Sequence, residues 1–186
     1  MKIPGELDRV GQINFSGKYD GYPNDFVAFG TFNDTTSVKL RIKSHFPGVT
    51  TKIYADMFYV FDQGLCKQKN ISSKWSNIIL TANLVEDEKL QNEYLNIHAS
   101  QYEKWPEVSK GFCNANFQQL LLFRNGRQLM LVISIPEGTS LDELNPKTTE
   151  NNPRVDEWNT TMKKYQEGIE GTKPGEVWVL LKPINR

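Results

Sequence analysis

The sequence predicts an α+β fold in two parts, a β-rich extension over residues 1–75 and a compact domain over residues 76–186. Aromatic residues and turn formers crowd the first part, whereas from residue 77 onward strand-like runs alternate with segments of helical periodicity. A chain of 186 residues buries one sizeable core, and the polar stretch from Lys67 to Ser76 predicts a linker between the two parts.

Three runs in the extension have the composition of strands: Phe26 to Phe32, Val38 to Phe46 and Lys52 to Phe61. The second run gives the clearest signal, because apolar and basic residues alternate strictly from Val38 to Lys43, as in a strand with one buried face. No motif in this part indicates a chemistry. Its tyrosines favour packing in a small core over a sugar-stacking face: Tyr19, Tyr22, Tyr54 and Tyr59.

The compact domain opens with a predicted strand from Ile78 to Leu84, and the acidic residues that follow it suit a helix N-terminus. Pro106 predicts that this helix ends or kinks there, before a second helical piece from Val108 to Phe112. Four residues of the first piece recur at every fourth position and therefore share one face: Leu90, Tyr94, His98 and Tyr102.

A β-hairpin is predicted next. The apolar runs Phe117 to Arg124 and Gln128 to Ile135 flank Asn125-Gly126, a dipeptide suited to the positive φ angles of a tight turn. Beyond the hairpin, Ser140 and Glu143 have the spacing of a capping box for a short helical turn.

A second long helix is predicted from Val155 to Gly168, and a last strand from Glu176 to Pro183. The resulting order, β-α-β-β-α-β, is that of the ferredoxin-like fold, a four-stranded antiparallel sheet with helices on one face. The other face must also be covered, and we expect a homodimer that closes a barrel, a dimeric α+β barrel.

Composition excludes several classes of partner. Acidic and basic side chains balance at 22 each, with no block of five like charges, so neither nucleic acid nor an anionic membrane is an expected partner. The N-terminal residues lack the apolar region of a signal peptide, and no apolar run is long enough to span a membrane. These features predict a cytoplasmic protein with a small neutral ligand.

The two cysteines, Cys66 and Cys113, lie far apart in sequence, and we predict two buried thiols rather than a disulfide. No cluster of His, Cys, Asp and Glu has metal-ligand spacing, no glycine-rich phosphate loop follows a strand, and no Ser-His-Asp signature occurs. A site without metal or cofactor is therefore expected.

The best candidates for chemistry are Tyr94 and His98, because an imidazole one helical turn from a phenol suits acid/base catalysis near neutral pH. From spacing alone, a core histidine packed against an ordinary tyrosine is the favoured interpretation, and only a resemblance to a known family reverses it.

Several segments, in order, resemble the L-rhamnose mutarotase family: the strand from Ile78, then EYLNIHASQYEKWPEV, LLLFRNGRQLMLVISIPEG, NPRVDEWNTTMKKYQEG and EVWVLLKPI. The resemblance covers residues 78–183 and leaves the first 75 residues outside it. It implies a dimeric α+β barrel, an isomerase of carbohydrate metabolism, and a Tyr-His pair at Tyr94 and His98.

Mutarotation opens a hemiacetal ring by protonating the ring oxygen while a base takes the proton of the anomeric hydroxyl. The resemblance favours His98 as proton donor to the ring oxygen and Tyr94 as its hydrogen-bonding partner. Trp158 is the expected stacking platform for the sugar. Further candidate contacts are Met162, Gln166, Arg154 and Gln118.

Two other functions remain open. A lyase or dehydratase acting on uronic-acid or rhamnose-containing oligosaccharides would use the same pair to move a proton at carbon, and the extension would lengthen its cleft. A sugar-binding module would hold its ligand without accelerating anomer exchange.

Overall fold

The computed structural model describes residues 17–18, 27, 29–30, 35–45, 52–54 and 56–183. Backbone contacts divide the chain into two compact units, Met1–Ile53 with Leu181–Arg186, and Tyr54–Leu180. In the part of the chain that is described, no helix is both long and apolar enough to cross a membrane.

The smaller unit contains a two-residue strand, β1 (Gly17–Lys18), which pairs antiparallel with Lys182 and Pro183, and a helix, α1 (Thr35–His45). The strand predicted from Val38 to Phe46 is therefore wrong. The alternation covers only six residues, and its apolar positions 38 and 42 are also one helical turn apart. Leu40, which the strand interpretation buries, is 62% exposed.

The strand predicted from Phe26 to Phe32 falls mostly outside the described residues. Where that run is described, at Val27, Phe29 and Gly30, the backbone is not in a strand.

The larger unit is built on an antiparallel sheet. Its strands are β2 (Asp56–Asp62), β3 (Trp75–Leu84), β4 (Gln119–Asn125), β5 (Gln128–Pro136), β6 (Gln166–Glu167) and the first two residues of β7 (Val179–Pro183), whose last three residues are counted in the smaller unit. The order across the sheet is β7-β3-β5-β4-β2, and β6 pairs with the end of β3. The predicted strands at the start of the domain and in the hairpin are confirmed, and the run predicted from Lys52 forms a strand from Asp56.

The helices of the larger unit are α2 (Glu88–Ala99), α3 (Gln101–Lys104), α4 (Pro106–Asn114), α5 (Leu141–Leu144) and α6 (Pro153–Met162). Asp87 caps α2, since its carboxylate accepts from the backbone N–H groups of Lys89 and Leu90 at 2.8 and 3.2 Å. The predicted break at Pro106 is confirmed, because this residue begins α4 directly after Trp105.

The second long helix is shorter than predicted. It ends at Met162, and Gln166 belongs to β6, where it pairs with Leu84. The hydroxyls of Thr160 and Thr161 bond back to carbonyls one turn earlier, which weakens the last turn.

The hairpin turn is displaced by one residue from the prediction. Asn125 pairs with Gln128 as the last residue of β4, so Gly126 and Arg127 form the two-residue turn. Of the two, only Gly126 has a positive φ, 60°, which is the pattern of a type II′ turn.

The prediction of two free thiols is wrong, because Cys66 and Cys113 form a disulfide with their Cα atoms 5.7 Å apart. Cys66 follows β2 and Cys113 lies in α4, two elements whose proximity arises only in the tertiary fold. A separation of 47 residues gives no local signal for such a pair.

Candidate active site

His98 lies at the centre of an aromatic cluster and is only 7% exposed. Helix α2 brings Tyr94 beside it, with ring centroids 4.2 Å apart. Strand β2 contributes Phe58 and Tyr59 at 5.7 and 5.5 Å, and α6 contributes Trp158 at 5.1 Å. Three of these rings meet the imidazole edge-on, an arrangement that fixes its orientation.

The geometry assigns the tautomer of His98. Its Nδ1 lies 2.9 Å from the carbonyl oxygen of Tyr94, and because a carbonyl only accepts, Nδ1 carries the hydrogen. The Nε2 atom then holds the lone pair, and no group among residues 56–183 forms a hydrogen bond with it.

Burial also fixes the charge of His98. Desolvation of the imidazolium lowers the pKa from 6.5 to about 4, and the hydrogen bond to the Tyr94 backbone opposes this only in part. The imidazole is therefore neutral at neutral pH, with a lone pair at Nε2.

Tyr94 is 1% exposed, and its hydroxyl oxygen accepts a hydrogen bond of 3.0 Å from Nε2 of Gln166. The hydroxyl proton has no acceptor within the described part of the chain, so it is left to donate. Burial raises the pKa of Tyr94 above its ordinary value, more than the bond from Gln166 lowers it. Gln166, predicted on a helix, thus reaches the site from β6.

Trp158 is buried against His98, and its other edge meets Trp105 at 5.6 Å. Arg154 stacks on Trp105, with the guanidinium carbon 4.0 Å from the ring centroid, and its Nη1 bonds Glu157 at 2.5 Å. Arg154 also lines a surface pocket of about 570 Å³, whose lining does not include His98 or Tyr94. Met162 is buried in the core formed around Trp158.

Gln118 is fully buried, but its amide is engaged elsewhere. Its oxygen accepts from the backbone N–H of Ser72 at 2.7 Å, and its nitrogen donates to the carbonyls of Asn70 and Asn116 at 3.1 and 3.0 Å. Gln118 therefore fixes the segment predicted as a linker to the start of β4.

The sequence did not predict two residues at or near this site. Phe58 contacts His98, and Gln101 holds Tyr59 by a hydrogen bond. Gln101 is wholly buried and accepts from the hydroxyl of Tyr59 at 2.6 Å, while its nitrogen donates to the carbonyl of Trp105 at 2.5 Å. No local sequence pattern marks either residue, because the burial of Gln101 and the position of Phe58 depend on the tertiary structure.

Among the described residues there is no group of three or more His, Cys, Asp or Glu side chains that could hold a metal ion. Within the described part of the chain, the side chains that surround His98 are aromatic rings, and the amide of Gln166 approaches the site by bonding Tyr94. In these residues no cation–π contact or ion pair involves the imidazole.

An antiparallel sheet packed on helices, with a neutral histidine buried beside a tyrosine, defines an α+β domain with a site suited to proton transfer. The sequence profile of the L-rhamnose mutarotase family matches residues 77–186, and the chain belongs to that family. The resemblance noted in the sequence is thus confirmed.

Two curated proteins are similar to parts of the chain. An L-fucose mutarotase from Xanthomonas campestris pv. campestris is 30% identical over 77 residues, which are 41% of this chain and 60% of that protein. A UPF0734 protein from Dictyostelium discoideum is 28% identical over 98 residues, which are 51% of this chain and 76% of that protein.

Proposed function

We propose that the protein is an aldose mutarotase that interconverts the α and β anomers of L-rhamnose or a related deoxy sugar. The observation that carries the proposal is the pairing of a neutral imidazole, with Nε2 available, and a tyrosine hydroxyl whose proton is available, on one face of α2. One base and one acid are what ring opening requires.

The proposed steps balance without any other reactant. His98 Nε2 takes the proton of the anomeric hydroxyl, the bond between C1 and the ring oxygen breaks, and Tyr94 gives its proton to that oxygen. The open aldehyde turns about its C1–C2 bond, and both protons return as the ring closes on the other face. This makes His98 the base in ring opening, whereas the sequence favoured it as the proton donor; its low pKa leaves the imidazole without the proton that a donor needs at neutral pH.

Trp158 is proposed as the apolar platform for the sugar, since it borders His98 and offers an aromatic surface to C–H groups. Gln166 is proposed to act through Tyr94, and Met162 to pack behind Trp158. Arg154 and Gln118 are not included among the proposed sugar contacts, because both are engaged away from the imidazole.

The mutarotase proposal is favoured over a lyase by the charges around the site. A lyase acting on a uronic acid needs a cation beside the substrate carboxylate, where negative charge develops. The described surroundings of His98 offer rings and an amide instead. A deoxy sugar, which is neutral, fits such surroundings better.

We further propose a ferredoxin-like topology and a homodimer. The order β7-β3-β5-β4 is the one that the β-α-β-β-α-β connection produces, and a second copy would cover the open face of the sheet. The cytoplasmic location stays a prediction, and the disulfide favours an oxidising compartment instead.

The test is anomer exchange, measured by NMR magnetisation transfer on L-rhamnose, L-fucose and a uronic acid. We expect acceleration on a deoxy sugar, its loss in His98→Gln, and its retention in His45→Gln, a matched control at the only other histidine. Lack of acceleration on every sugar contradicts the proposal. A new ultraviolet-absorbing double bond in a uronate product identifies a lyase.

A further inference from the structure

Strand β2 precedes the residues that match the family, yet it forms half of the aromatic surroundings of His98. The family match begins at residue 77, whereas Phe58 and Tyr59 lie about 20 residues earlier. Both rings contact the imidazole, and Phe58 also meets the ring of Tyr94 at 6.0 Å.

A β-bulge explains how two successive residues reach the same imidazole. Side chains alternate between the faces of a regular strand, so neighbours cannot both point to one side. In β2, Met57 pairs with Phe123 and Tyr59 pairs with Leu122, so Phe58 is the extra, unpaired residue. Bulges of this kind re-aim a side chain and are frequent beside active sites.

Several bonds hold β2 in place. Its ladder pairs with β4, the hydroxyl of Tyr59 bonds Gln101 at 2.6 Å, and the hydroxyl of Tyr102 bonds the carbonyl of Val60. The disulfide of Cys66 anchors the segment that follows the strand. The strand is therefore a fixed wall of the site, which keeps Phe58 in one position.

Phe58 differs from the other rings around His98 in its exposure. Tyr59, Tyr94 and Trp158 are all buried, whereas Phe58 is partly exposed while touching both proposed reacting residues. Of the four rings around His98, Phe58 is therefore the one most open to a ligand that arrives from solvent.

Building on the proposed mutarotase function, we propose that Phe58 is a specificity-determining residue that forms an apolar wall against the C6 methyl group of a 6-deoxy sugar. A hydroxymethyl group in the same place would bury a hydroxyl against an aromatic ring without a hydrogen-bonding partner. The bulge in β2 thus favours 6-deoxyhexoses over the corresponding hexoses.

The test compares anomer exchange of L-rhamnose with that of L-mannose, which differs only in bearing a hydroxyl at C6. We expect the natural chain to prefer L-rhamnose in kcat/KM by about tenfold or more, the size typical of one small group in an apolar pocket. Phe58→Ala should reduce that preference at least about fivefold, mainly through KM, and Phe58→Leu should retain most of it.

Met57→Ala is the matched control, because Met57 is the exposed neighbour of Phe58 on the same strand and takes no part in the cluster. Circular-dichroism melting verifies that each variant is folded. An unchanged preference in folded Phe58→Ala overturns the proposal, as does an equal loss in Met57→Ala.

A second measurement separates this proposal from the mutarotase function itself. Saturation-transfer NMR measures the binding of L-rhamnose and L-mannose to the same variants without requiring catalysis. If the natural chain binds but does not accelerate exchange, the mutarotase function fails, while the preference in binding still decides the role of Phe58. If neither L-rhamnose nor L-mannose binds to the natural chain, both proposals are overturned.

Discussion

Lowering the pH from 7 to 4 should leave His98 uncharged over most of that range and progressively destabilise the protein. The pKa is about 4 in the folded protein against 6.5 for the ordinary side chain, and this difference corresponds to about 3 kcal/mol of unfolding free energy. Because the folded pKa is the lower one, the unfolded chain binds the proton first. The contribution is complete above about pH 6.5 and is lost as the pH falls toward 4.

The assay uses the fact that the chain has only two histidines. A proton–carbon NMR titration shows two imidazole signals, and His45→Gln identifies the one that belongs to His98. Urea unfolding from pH 4 to 7 then compares the natural chain with His98→Gln, which removes the titrating group and leaves the carboxylates in place. The stability advantage of the natural chain should shrink by about 3 kcal/mol between pH 7 and 4. A His98 signal that titrates near pH 6.5 refutes the reasoning.

Three further predictions concern the hydroxyl of Tyr94, the disulfide between Cys66 and Cys113, and the buried amide of Gln118. Tyr94→Phe should slow anomer exchange by about 10² to 10⁴ without unfolding the protein. Tyr165→Phe is the control, because the hydroxyl of Tyr165 bonds Glu93, and this variant should accelerate anomer exchange normally in the same NMR assay. Replacing both Cys66 and Cys113 by Ala should lower the unfolding free energy in urea by about 4 kcal/mol, as expected for a loop with 47 residues of separation, and two free thiols in the untreated natural chain would disprove the bond. Gln118→Ala should cost about 1 to 3 kcal/mol of stability because it removes the hydrogen bonds that its fully buried amide makes to Ser72, Asn70 and Asn116, and a selective rise in the KM for sugar would instead place it in the site.

The elements that surround the proposed catalytic pair were predictable because each carries a strong local signal. Tyr94 and His98 are four residues apart, a spacing that predicts α2. Pro106 begins α4, a position where the missing backbone N–H of proline costs no helical hydrogen bond. The two apolar runs around Gly126 form the expected hairpin. In each case the preference of a few neighbouring residues agrees with the tertiary structure.

The features that local patterns missed depend on contacts between distant segments. Gln166 joins a strand because it pairs with Leu84, more than 80 residues away in the chain, and this pairing overrides the helical spacing of its neighbours. Cys66 and Cys113 meet only once β2 has docked near α4. The bulge at Phe58 exists only relative to its partner strand, so no pattern within β2 reveals it.

One environment accounts for both halves of the proposed acid/base pair. Burial among aromatic rings penalises every charged form, so it lowers the pKa of His98 and raises that of Tyr94. Both groups are then neutral over a wide range of pH, one with a lone pair and the other with a proton. A charged imidazolium and tyrosinate would be costly to form separately in such a site. Proton removal at the anomeric hydroxyl and proton delivery to the ring oxygen are therefore expected to proceed together, so that the substrate passes charge between the two residues and neither has to hold it alone.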